Sequence, residues 1–127
     1  MILRTIAEFQ TDIADEAIAE ALIEMLRRPD RKVDSPDFVG DSTWEFTVKT
    51  GGRKLFFQVQ SVEKSVLLVT RDVTSILFKE RDASVLAEVL VELNRDMHDD
   101  PRFHEIKWRL RDELFEEGPG VSSPTAG

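Results

Sequence analysis

The sequence predicts an α+β fold: a two-layer sandwich with an N-terminal helix, an antiparallel three- to four-stranded β-meander and two C-terminal helices. Both flanks carry apolar residues at the spacing of one helix face. The middle alternates apolar and polar residues with the period of a half-buried strand. Two of the alternating runs are joined by Gly51-Gly52, a turn that accepts positive φ. At 127 residues the chain is long enough for one core and short for two. Residues 1–117 are therefore expected to form one domain, followed by the tail 118–127.

In the first helix Ile13, Ala17, Ile18, Ala21, Leu22, Met25 and Leu26 recur on one face. Thr11 or Asp12 is placed to cap it, and Arg27 and Arg28 suit its negative end before Pro29 stops it. Upstream, Ile2, Ile6 and Phe9 fit either a short strand or an extension of this helix; Thr5 and Glu8 have capping-box spacing. The stretch 29–43 is rich in Pro, Asp and Ser without periodicity, so it is expected to be a loop.

The meander begins with Trp44, Phe46 and Val48 alternating with Glu45, Thr47 and Lys49. Closing a hairpin at Gly51-Gly52 pairs Val48 with Leu55, Phe46 with Phe57 and Trp44 with Val59, all on one face. A turn at Glu63-Lys64 leads into a third strand, Val66 to Thr70, and Val73 to Phe78 fits a fourth strand or a lead into the next helix.

That helix carries Val85, Leu86, Val89, Leu90, Leu93 and Met97 on one stripe. Asp99-Asp100-Pro101 then reads as an acidic cap with proline at the first helical position, and Phe103, Ile106, Leu110 and Leu114 line a last helix. Ile106, Trp108 and Leu110 also alternate like a strand; the Asp-Pro start favours the helix.

Charge and composition exclude several chemistries. With 25 acidic and 17 basic residues the net charge is −8, which disfavours nucleic acid as a partner. The acid lies in the flanks: residues 1–40 carry net −4, 41–80 net +1 and 81–127 net −5. The absence of cysteine removes disulfides, thiolate metal sites and cysteine nucleophiles. Arg4 and Glu8 interrupt the N-terminus too early for a secretory stretch, and no window approaches the ~18 apolar residues of a spanning helix. A cytoplasmic chain without membrane partner follows as the expectation.

Candidate sites are few. His98 and His104 flank Asp99 and Asp100, but nothing in their spacing makes them converge on a metal. Asp34 to Glu45 has calcium-loop length, yet Pro36, Phe38 and Val39 stand where oxygen ligands and glycine are needed. Pro36-Asp37 resembles half of a PD-(D/E)xK nuclease motif, while the strand that should end in acid-x-lysine reads Gln58-Val59-Gln60. No catalytic residues, metal or cofactor are expected. A second stripe on the last helix, His104, Trp108, Arg111 and Phe115, joins aromatics to arginine as interface cores do. Phe56, alone on the polar face of the hairpin, is a further interface candidate.

The hairpin Leu55-Phe56-Phe57-Gln58-Val59, the strand Val66-Leu67-Leu68-Val69 and the helix end Leu90-Val91-Glu92-Leu93-Asn94-Arg95 resemble the type III secretion chaperone fold. Within that group the pattern is closest to YbjN-like proteins, over about residues 12–98. Those folds return to the sheet after the second helix, where this sequence reads as another helix. The resemblance implies a non-catalytic homodimer that holds another polypeptide. The alternatives are an acidic immunity-type inhibitor of a basic partner, or a small carboxylate-dependent hydrolase or nuclease using Glu45 or Asp72.

Overall fold

The computed structural model describes residues 3–71 and 80–109. The predicted hairpin forms in the predicted register: β4 (Thr43–Thr50) pairs with β5 (Arg53–Val62), with Trp44 opposite Val59, Phe46 opposite Phe57 and Val48 opposite Leu55. Gly51 and Gly52 turn it at φ 57° and 74°, both in the left-handed region. β6 (Ser65–Arg71) follows the Glu63-Lys64 turn, as expected, and extends the meander antiparallel to β5.

The meander is only part of a larger sheet. β1 (Leu3–Thr11) pairs with β6, and β7 (Phe103–Trp108) pairs with β1. Two short strands, β2 (Lys32–Val33) and β3 (Asp37–Gly40), pair with different ends of β4. Among the described residues the result is one antiparallel sheet of seven strands in the order β2-β4-β5-β6-β1-β7, with β3 beside β4. The expectation of a three- to four-stranded meander with two C-terminal helices is thus overturned. The described residues hold two helices, α1 (Ile18–Leu26) and α2 (Glu80–Asp99), with a 3-10 turn at Asp15–Ala17 before α1.

Each correction has a local cause. Asp100 does not cap a helix: its carboxylate accepts from the Arg102 backbone N–H at 2.9 Å, and Phe103 N–H donates to the Asp100 carbonyl at 3.1 Å. This closes a tight turn with Pro101 inside it, so α2 leads straight into β7. Ile6, Ala7 and Phe9 are buried against the core, which makes 3–11 a strand, and Glu8 pairs with Arg109 in place of a capping box. α1 begins later than its stripe suggested. Thr11 Oγ1 instead accepts from Ile13 N–H at 3.2 Å, and the N-cap residue of α1, Ala17, makes no side-chain hydrogen bond. The stretch 29–43, expected as a loop, supplies β2 and β3.

Both helices lie on one face of the sheet. A single core joins Ile18, Leu22, Ile23 and Leu26 of α1 to Leu86, Leu90, Leu93 and Met97 of α2 and to Phe9, Phe46, Phe57, Val59 and Leu68 of the strands. Val69 is only 4% exposed yet lies outside that core, because it points to the opposite face. Arg31 ties the helices together. Its guanidinium donates to the Leu26 carbonyl at 3.0 Å, capping the end of α1, and pairs with Glu92 of α2. Burial, then the nearby Arg28, pulls the Arg31 pKa below its ordinary value. Arg28 in turn contacts Asp96. The stretches 72–79 and 110–127, including the expected fourth strand and the tail, lie outside the described residues.

Phe57 is fully buried and stacks on Phe46. Phe57→Ala is expected to cost about 3–5 kcal/mol in urea unfolding through lost transfer energy and cavity formation. A loss under about 1 kcal/mol would place Phe57 outside the core.

Candidate functional site

β7 decides the fate of the sequence-derived interface stripe. A strand replaces the helix over 103–108, and the register slips between Glu8 and Gln10 of β1. Glu105 sits at the slip with φ 53°, a left-handed backbone that inserts one extra residue as a bulge. Residues directly opposite share a face, so Trp108 shares the face of Ala7 and His104 that of Gln10. Ala7 and Gln10 are three residues apart, hence on opposite faces. The bulge therefore sends His104 and Trp108 to different sides of the sheet.

Trp108 packs against the core, and its indole Nε1 is buried without a hydrogen-bond partner, as is Oδ1 of Asn94. His104 lies 3.5 Å from the Asp12 carboxylate on the other side. Phe56 is half-buried on the face turned away from the helices, opposite Thr47. Arg111 and Phe115 lie outside the described residues. The three described candidates are not brought together: Trp108 is on the helix side, and His104 and Phe56 are on strands separated by β1 and β6.

The polar residues beside Phe56 are engaged with each other. Gln58 Nε2 donates to Glu45 at 2.7 Å, Gln60 Nε2 donates to Gln58 at 2.9 Å, and Thr47 bonds Asp34. Glu45, a candidate for carboxylate chemistry, is thereby one acceptor in a side-chain ladder; Asp72 lies outside the described residues. Glu8 bonds Arg109 at 2.8 Å, which with Ser65 holds its carboxyl below the usual range. Asp100 is held low in the same way by Arg102. Among the described residues no three His, Cys, Asp or Glu gather to hold a metal.

Two features escape the sequence reading. The first is at the outer edge of the sheet. Phe38 of β3 is 63% exposed and Val39 50% exposed, and the Phe38 ring lies 5.3 Å from that of Trp44. Phe38 shares the helix-side face with Trp44, but β3 projects beyond the helices' cover. The signal was Phe38-Val39 standing apolar inside a stretch rich in Pro, Asp and Ser.

The second is at the hairpin end. Lys32, Lys49 and Lys54 stand directly opposite one another across β2, β4 and β5. With Asp30, Gly51 and Arg53 they line a hollow of about 460 Å³. A neighbouring hollow of about 450 Å³ shares Asp30 and Gly51 and runs along α2 past Glu88 and Glu92. Alternation within each strand was legible; which strands become neighbours of β4 was not.

No protein-family model, curated protein or solved structure matches the chain. Among the described residues no helix is long and apolar enough to cross a membrane.

Trp108→Ala is expected to lower the unfolding midpoint, by about 1–3 kcal/mol for a half-buried indole, with no change of mass in light scattering. An unchanged midpoint with a smaller mass would place Trp108 in a contact between chains.

Proposed function

We propose that this chain is a non-catalytic polypeptide-binding module of the cytoplasm, an adaptor that acts as a homodimer. The observation that carries the reading is the exposed Phe38 beside Trp44 on the edge strand β3. Aromatic side chains dominate interface energies, and an unpaired strand edge offers backbone donors and acceptors to a second strand. Natural sheets guard such edges with charge; here Phe38 and Val39, which stands at the register slip of β3, are both exposed and apolar. A two-fold axis beside β3 would pair this strand with its own copy and close the assembly. The resemblance to secretion chaperones supports the same reading, since β7 returns to the sheet after α2 as those folds do.

Sedimentation at tens of micromolar tests it. Wild type is expected at the dimer mass and Phe38→Ser at the monomer mass, with an unfolding midpoint little changed at low concentration because Phe38 is largely in solvent. Phe56→Ser is expected to remain dimeric. A monomeric wild type overturns the homodimer; a Phe56→Ser monomer beside a Phe38→Ser dimer moves the contact to the face opposite the helices.

A further inference from the structure

The hairpin end holds a feature that folding does not favour. Like charges directly opposite on neighbouring strands are destabilising, and here three lysines occupy one such row. Their backbones span roughly 10 Å across the three strands. All three side chains are exposed, and among the described residues none has an ion-pair partner. Edge protection accounts for Lys32 on the outer strand β2. It does not account for Lys49 and Lys54, which lie on the inner strands β4 and β5. Among the described residues that line the hollow, Asp30 is the one carboxylate set against these three lysines. This concentration of positive charge stands in a chain of net −8.

We infer that the hollow is a binding site for a short acidic segment of another polypeptide. The inference rests on the reading of the chain as a polypeptide-binding module and names the chemistry of what it holds. Charge sets the class of ligand, and its reach sets the length. Screening confines the lysine field to about 10 Å at 0.1 M salt, so the partner must place its carboxylates within the hollow. A longer polyanion running along the strands meets Asp12, Asp41 and Glu63 at their opposite ends. That penalises nucleic acid and leaves a peptide with a few clustered Asp or Glu. Alternate residues of an extended peptide put two carboxylates about 6.6 Å apart, within the span of the lysine row. The site lies at the strand ends next to β2, whereas Phe38 sits at the other end of β4, so one surface need not cover the other.

A fluorescein-labelled hexaglutamate peptide, titrated with the full chain and followed by anisotropy, tests the inference. Saturable binding is expected, weakening between about 0.05 and 0.3 M salt as exposed charges are screened. The Lys49→Gln/Lys54→Gln double variant is expected to lose about tenfold in affinity, with an unchanged or raised unfolding midpoint because like-charge repulsion is relieved. Phe38→Ser is expected to bind the peptide as wild type does, and the lysine variant to keep the wild-type mass, which separates this site from the homodimer contact. Absence of binding at low salt, equal binding by the double variant, or tighter binding of a single-stranded oligonucleotide with the same number of charges would each overturn it.

Discussion

Phe46 and Phe57 stack across β4 and β5 with ring centroids 5.7 Å apart and planes 19° from parallel. Successive side chains of a strand point to opposite faces, so this one pair assigns every neighbour on both strands to the core or away from it. Trp44, Val48, Leu55 and Val59 follow Phe46 and Phe57 inward, and Leu68 of β6 and Ala7 of β1 continue the row outward from Val59. Thr70 interrupts the apolar set opposite Phe57, but its hydroxyl donates to the Phe56 carbonyl at 2.8 Å and is satisfied. Everything the helices cover is set by that register. Gly51, 3.4 Å from a Val85 methyl when given a side chain, marks where the hairpin tip passes beneath α2.

The remaining structure is an accommodation to one covered face. Seven strands expose more sheet than one short helix shields, so α2 runs its twenty residues beside α1 and Arg31 joins them. A buried arginine is costly to dehydrate, and it persists here because a carbonyl and a carboxylate answer it. The bulges of β1 at Ile6 and of β7 at Glu105 serve the same end. The first keeps both Ile6 and Ala7 buried, and the second turns Ile106 and Trp108 inward after Phe103.

What could be read from the sequence follows from how local each signal is. The β4–β5 register was legible because the alternation and its turn lie within sixteen residues, Trp44 to Val59. α2 was legible because its stripe runs through four turns. β7 was not: Asp99-Asp100-Pro101 satisfies a helix start and a tight turn equally, and the hydrogen bonds that choose the turn involve β7 itself. A bulge at a glutamate leaves no mark in composition, so the spacing of His104 and Trp108 reads as a shared helical face. β2 and β3 are two and four residues long and exist only as partners of β4. The site suffered likewise. Lys32, Lys49 and Lys54 are far from a run in sequence, and only strand pairing sets them in a row.

We propose two separate contacts along β4, an aromatic edge at one end and a lysine row at the other. Both depend on the register of β2, β3 and β5 against β4. The most direct measurement is nuclear Overhauser contacts in the labelled protein. Cross-strand contacts are expected between Lys32 and Lys49, between Lys49 and Lys54, and between Phe38 and Trp44. Absence of any contact from Lys32–Val33 or Asp37–Gly40 to β4 would contradict it.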